Sequence, residues 1–169
     1  MAFDTFMIFD DGTKVVGETT ADGMKGAFEI YSFSWGASNP VTIGSTKGGL
    51  AGGKVSISSF NVMKKSEAAS ATLFGACCTG QHYAAITVTM RKATGTSGGQ
   101  QKFLVYSFTN CMIESIQWSG SSGGDDSPTE SISIAFGQVK IDYFKQGAKE
   151  GTLASAGTAS WDLTTVKAS

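Results

Sequence analysis

Residues 120–144 read GSSGGDDSPTESISIAFGQVKIDYF, a Gly- and acid-rich loop that leads into a long strand pattern whose hydrophobic phase changes midway. Ile132, Ile134 and Phe136 occupy even positions, whereas Val139, Ile141 and Tyr143 occupy odd ones. Side chains alternate along a strand, so a slip of one residue exchanges the two faces, and the switch at Gly137 needs a physical cause. A bulge at Gly137 would bend the strand and keep both apolar trios on one face, as happens when a sheet curls into a barrel. A straight strand would bury opposite faces in succession, one against a core and one against a neighbouring subunit. Both readings imply curvature or assembly rather than chemistry.

The switch is not isolated. Phe28 and Ile30 give way to Tyr31, Phe33 and Trp35, and Val55 and Ile57 give way to Phe60 and Val62. Further alternation runs through Phe6 and Ile8, Ile86 to Met90, Leu104 to Phe108, and Ile116 with Trp118. With 22 Gly and only 2 Pro, the chain has many turn and bulge formers and few strand breakers. A mainly β fold closing into a small barrel is the expectation. One segment breaks the pattern: about residues 66–78 are Ala-rich, begin with Ser66 and Glu67 as cap and first-turn acid, and stop near Gly80. A short α-helix is expected there, with Ala69, Leu73 and Ala76 or Cys77 as its apolar face. At 169 residues, the whole chain, 1–169, is expected to form one domain.

A formal net charge of −1, without a Lys/Arg cluster interleaved with aromatics, argues against nucleic acid as a partner. No run of about 18 uncharged apolar residues suits membrane insertion, and residues 1–13 carry neither a basic start nor a cleavage pattern of a signal peptide. Cys77, Cys78 and Cys111 form an odd set without metal-type spacing, most simply read as reduced thiols in a cytosolic chain. The single histidine, His82, stands at a helix-to-strand junction, where packing or a backbone hydrogen bond is its ordinary role. No Gly-x-Ser-x-Gly elbow marks a nucleophile, and Asp125-Asp126 lacks the alternating oxygen ligands of a calcium loop. An enzyme is not expected, and no cofactor or metal is called for.

Two loops stand out instead. Residues 39–53, NPVTIGSTKGGLAGG, look flexible enough to extend from the body until something fixes them. Residues 119–127 read SGSSGGDDS. Charges are segregated: Lys47, Lys54, Lys64 and Lys65 are the charged residues between Glu29 and Glu67, while Glu114, Asp125, Asp126 and Glu130 are those between Lys102 and Lys140. A basic segment of one copy meeting an acidic segment of another is a heterologous contact, which makes rings or filaments. Two solvated loops of opposite sign are the plainer alternative.

These features converge on a family. Tyr31-Ser32-Phe33-Ser34-Trp35-Gly36, the basic-to-helix stretch 60–80, Gln81-His82-Tyr83 leading into Val88-Thr89-Met90-Arg91-Lys92-Ala93, and the Gly-Gly-Asp-Asp loop running into residues 134–143 occur in order. The chain thereby resembles the Hcp (haemolysin-coregulated protein) family, inner-tube proteins of type VI secretion systems, over nearly its whole length. The resemblance implies a small β-barrel of two curved, mostly antiparallel sheets with one helix alongside. It also implies hexameric rings stacked into a hollow tube. Such a tube forms in the bacterial cytoplasm with sheath, baseplate and spike proteins as partners and is ejected without a signal peptide. Some members carry small effector proteins in the lumen, and others bear a fused toxin domain at the C-terminus, which is not expected here.

Carried onto this sequence, the 39–53 loop becomes an inter-subunit or inter-ring arm. Its contact candidates are Lys47, Gly48, Gly49, Leu50 and Lys54, with Asp125 and Asp126 as their counterparts. Residues 10–22 and 147–160 look longer or looser than the family pattern. Phage-type tail-tube proteins share the barrel and ring logic. A different class of function, a monomeric barrel binding carbohydrate on Trp35, Trp118 or Trp161, competes with ordinary packing of those rings.

Overall fold

In the computed structural model, residues 3–9, 15–44, 49–93, 99–124, 126–146 and 153–168 are described. The chain runs β1 (Asp4–Phe9), β2 (Phe28–Ile30), β3 (Ser32–Ser34), β4 (Ala37–Ser38), β5 (Val41–Ile43), β6 (Leu50–Gly52), β7 (Ser56–Ile57), β8 (Phe60–Lys65), α1 (Ser70–Thr79), β9 (His82–Ala93), β10 (Gln100–Ser119), β11 (Thr129–Gln146) and β12 (Leu153–Asp162). The main sheet has eight strands ordered β2-β1-β9-β10-β11-β8-β3, with β12 added to β11. All its pairings are antiparallel.

Closure is achieved by one bent stretch of chain. Phe28–Ile30 pair with β1 at one end of the path, and Ser32–Ser34 pair with β8 at the other. Tyr31 lies between them and donates its N–H to the Met63 carbonyl at 2.9 Å. The phase change expected here is real, because Phe28 and Ile30 are buried and Phe33 and Trp35 pack on the same core. Tyr31 itself is not part of the inward set. It turns outward at the point where the strand changes partners.

The switch at Gly137 has a different construction from a bulge in β11. The β10–β11 register runs unbroken from Leu104↔Tyr143 through Thr109↔Gln138 and Cys111↔Phe136, and shifts only between Ile113 and Ser115. Gly137 therefore stands opposite Asn110, whose φ of 54° lies in the left-handed region. Both strands change phase at this pair: Phe108 and Cys111 are buried on one, and Phe136 and Val139 pack on the core from the other. Because both slip together, no register is lost. A Cβ on Gly137 would lie 3.2 Å from the Asn110 Cβ, so this crossing has room for glycine alone without adjustment. Here β11 also exchanges neighbours, from β8 (up to Ile134) to β12 (from Gln138). The Gly137 carbonyl accepts the Leu163 N–H at 2.9 Å, which satisfies it at the crossing.

The second trio is divided. Val139 is buried, Ile141 packs against the core and Tyr143 is exposed. Helix α1 buries Leu73 and Ala76 and ends at Gly80, whose φ of 66° gives the left-handed C-cap. It begins at Ser70 rather than near Ser66, since Glu67 is drawn into an ion pair instead of the first helical turn. The segment 147–160 is not loose where it is described, as residues from Leu153 onward are paired to β11. Its small side chains hide the alternation that normally betrays a strand.

Candidate assembly surface

Where it is described, the 39–53 segment is a β-ribbon rather than an irregular loop. Ala37–Ser38 pair with Ser56–Ile57 at its root, and Val41–Ile43 pair with Leu50–Gly52 further out. The Gly53 N–H to Pro40 carbonyl bond of 2.8 Å joins the two pieces. Directly paired residues share a face, so Val41, Ile43 and Leu50 form one side and Thr42 and Ala51 the other. That apolar side is uncovered: Val41 is 56%, Ile43 80% and Leu50 75% exposed. β-Branched residues at 41–43 were the sequence signal for this ribbon, outweighed by the surrounding glycines.

At the ribbon's root lies an apolar groove of about 270 Å³. Trp35, Ala37, Val55 and Ile57 line one side, and Val139, Ile141, Ala159 and Trp161 the other, with Ser160 as the polar member. The β11–β12 pairs Val139↔Trp161 and Ile141↔Ala159 build the second wall. Beneath it, Trp35 meets Tyr106, Phe108 and Phe136 edge-on at 5.2, 5.8 and 6.2 Å between centroids, which fixes its indole as packing rather than a free platform. Trp118 is likewise held, donating Nε1–H to Glu130 at 2.8 Å and packing on Phe74. Trp161 faces the groove from the β12 wall, half-buried like Trp35 across from it.

The acidic 120–128 loop stands at the opposite end of β8. The arm leaves the sheet beside Phe60, which pairs with Ile134, while the acidic loop adjoins Lys65, which pairs with Thr129. Six residues of strand separate these ends, roughly 17 Å. Lys54 at the arm's root and Asp126 in the loop are exposed, and among the described residues neither enters an ion pair. Gly49 takes a φ of 61° where the chain enters β6. Lys47, Gly48 and Asp125 lie outside the described residues.

Other charges in the segregated pattern are engaged within the chain. Lys64 and Glu130 are both fully buried, with Nζ 2.8 Å from Oε2, and Glu67 lies 3.1 Å from the same ammonium. Lys64 also donates to the Lys65 carbonyl at 3.0 Å and sits 5.1 Å from the Phe28 ring centroid. Glu67 in turn accepts the Glu18 N–H at 2.8 Å, and Glu18 accepts the Ala68 N–H at 3.1 Å. Burial pushes the Glu130 carboxyl up, but hydrogen bonds from Lys64, Ser70, Ser66 and Trp118 outweigh it and hold the group below its ordinary value. Lys64 and Glu130 thus join β8, α1, β10 and β11 inside one chain and are not available to a neighbour.

Near Gly137 a second polar cluster fixes the end of β12. The Asp162 carboxylate accepts from the Thr164 hydroxyl at 2.5 Å, the Thr165 N–H at 3.0 Å, the Thr164 N–H at 2.7 Å and the Gln138 amide at 2.8 Å. These bonds, the Thr164 hydroxyl foremost, hold its carboxyl well below the usual range. Cys111 is buried, and desolvation pushes its thiol up to about 12, against a smaller opposing effect of a backbone hydrogen bond at Ile86. His82 is exposed on β9 opposite Met112. Among the described residues no three His, Cys, Asp or Glu side chains gather as a metal site, and no helix is long and apolar enough to cross a membrane.

A family model described as "Type VI secretion system effector, Hcp" matches residues 6–143. The protein Hcp1 of Pseudomonas aeruginosa is 34% identical over 101 residues, or 58% of this chain. That alignment spans 60% of the curated relative, less than two thirds of its length. A solved structure described as that of a type six secretion system protein is similar over 99% of this chain and 100% of its own, with 34% identity and a TM-score of 0.88. The crystal structure of Hcp1 from Salmonella typhimurium is similar over 99% of both chains, at 27% identity and a TM-score of 0.78. Matched across most of its length by sequence and almost end to end by fold, the chain belongs to the Hcp family of type VI secretion systems.

Proposed function

We propose that this chain, folded as one Hcp-like unit over 1–169, assembles into hexameric rings that stack head to tail into the inner tube of a type VI secretion machine. The observation that carries this reading is the family match over residues 6–143, joined to an arm and an acidic loop at opposite ends of one strand. Opposite placement lets the arm end of one ring face the acidic end of the next. The contact residues of this reading are Lys47, Gly48, Gly49, Leu50 and Lys54 on the arm side, with Asp125 and Asp126 as their counterparts. The tube forms in the bacterial cytoplasm, is enclosed by a sheath beneath a spike and is ejected when that sheath contracts. Small effector proteins travel in its lumen. The role is structural and not catalytic. Negative-stain microscopy and sedimentation of the purified protein test the assembly. Rings and tubes are expected at high concentration, with an Asp125→Lys, Asp126→Lys variant forming rings that stack poorly at low salt. A monomer at every concentration contradicts the reading, and unchanged stacking of the variant contradicts the charge contact.

A further inference from the structure

At the end of the main sheet where β1 begins and β9 gives way to β10, an open cleft of about 590 Å³ lies between the turn at Gly23 and the start of β12. Its charged lining is Arg91 and Lys102, and among the described residues no carboxylate lines it. The two cations are cross-strand partners, so both project on one face of the sheet. Arg91 is held in place without being neutralised. It donates from Nη1 to the Asp22 carbonyl at 2.7 Å and from Nη2 to the Gln100 carbonyl at 2.8 Å, and both acceptors are uncharged. Asp4, paired with Arg91 across β1 and β9, accepts from the Gln100 amide instead. An adjoining recess that shares Arg91 and Gln100 takes Asp4, Asp22 and Glu29, so the acids gather there and the cleft is left cationic. Lys102 is exposed, with Nζ 5.0 Å from the Phe144 ring centroid, and among the described residues it enters no ion pair. Asp142, which feels the Lys102 charge, is committed to the Lys140 ammonium at 3.0 Å and accepts the Thr158 hydroxyl at 2.7 Å.

We propose that this cleft binds a nucleoside phosphate, with the phosphate on Arg91 and Lys102 and the base against Phe144. Two cations without a facing carboxylate select an anion, and a guanidinium already fixed by two carbonyls presents its remaining N–H groups with little ordering left to do. Inorganic phosphate alone would leave most of the cleft empty. The remainder is walled by the half-buried side chains of Phe144, Met24 and Leu153, beside the Gln101 amide. An aromatic ring with aliphatic flanks suits a flat heterocycle, and an amide that both donates and accepts suits the polar edge of a base. The volume lies within the range of roughly 300–1,000 Å³ over which small ligands are held. Arg91 comes from β9, Lys102 from β10 and Phe144 from β11, so the basic and aromatic groups meet only in the folded sheet. The site is complete within one chain and stands apart from the ring reading.

Isothermal titration of the purified chain with ADP, pyrophosphate and adenosine tests the site. ADP is expected to bind once per chain and roughly tenfold or more tightly than either fragment, because only ADP engages the cations and the ring together. Lys102→Glu should weaken ADP by roughly tenfold or more, and Lys102→Gln, which removes the charge alone, by a smaller factor in the same direction. Lys102 is exposed, so neither substitution puts folding at stake. Phe144→Ala should weaken ADP while leaving pyrophosphate unchanged, a split that general damage to the fold does not produce. No binding of ADP at about 1 mM overturns the proposal, since an affinity weaker than that is worth less than about 4 kcal/mol. Pyrophosphate binding as tightly as ADP overturns it as well, and so does ADP binding that is unchanged in Lys102→Glu and Phe144→Ala.

Discussion

The two ends of β8 solve opposite problems. At the Lys65 end a buried ammonium, two carboxylates, an indole and a helix N-terminus satisfy one another within one chain. At the Phe60 end the ribbon and groove leave apolar surfaces uncovered. Charge near the first end reads in the sequence like an interaction signal, yet Lys64 and Glu130 hold the fold together. Small and flexible residues near the second read like slack, yet they frame an exposed apolar ribbon face and a groove. Exposure, rather than residue type, separates folding from assembly here.

Breaking the first end should cost the most. Lys64→Met leaves Glu130 buried without its cation and should lower unfolding free energy by about 3–5 kcal/mol in urea titration. Pairing it with Glu130→Leu should recover much of that loss. A loss below about 1 kcal/mol, the scale of an exposed pair, would erase the contrast between the two ends.

The border between the ends is the Asn110–Gly137 crossing. Gly137→Val crowds Asn110 and should cost about 1–3 kcal/mol. Asn110→Val places a branched side chain at φ 54° and should cost about 1–2 kcal/mol, with Asn110→Gly tolerated. Thermal melts of the three variants check the order. Equal tolerance of all three would mean that the paired phase switch is not what bends these strands.

Acid sharpens the comparison further. Glu130 and Asp162 are both held below their ordinary values in the folded chain, so their ionised forms favour folding. That contribution is complete above the unfolded-chain values near ~4.3 and ~3.9 and is lost as pH falls through and below them. Melting temperature should therefore drop between about pH 5 and pH 3, and less steeply in Asp162→Asn. A flat profile over that window would contradict the hydrogen-bonded geometry of both groups. The smallest effect belongs to the exposed charges: Asp126→Lys should leave the melt unchanged and weaken ring stacking by at most about 1 kcal/mol, most visibly at low salt.

Much of the barrel was legible because its alternation is carried by large side chains. The three phase changes, the helix face of Ala69, Leu73 and Ala76, and its stop at Gly80 all follow from the letters. The second half of the Gly137 switch was also written there, in the step from Leu104, Tyr106 and Phe108 to Cys111 and Ile113, but it needs the register to make Asn110 its centre. Strand β12 escaped notice because Ala, Ser, Gly and Thr show no alternation, and only pairing with β11 makes it a strand. The Lys64–Glu130 pair joins residues 66 positions apart, a distance that no local pattern spans. The groove is less legible still, since four separate segments build it.

Sedimentation velocity of an Ile43→Asp, Leu50→Asp variant beside the parent chain, with circular dichroism on the same samples, tests most directly whether folding and assembly reside at opposite ends. The account predicts an unchanged β spectrum and a shift from ring-sized to single-chain particles. A variant that sediments with the parent's rings, or one that loses its β spectrum, would contradict it.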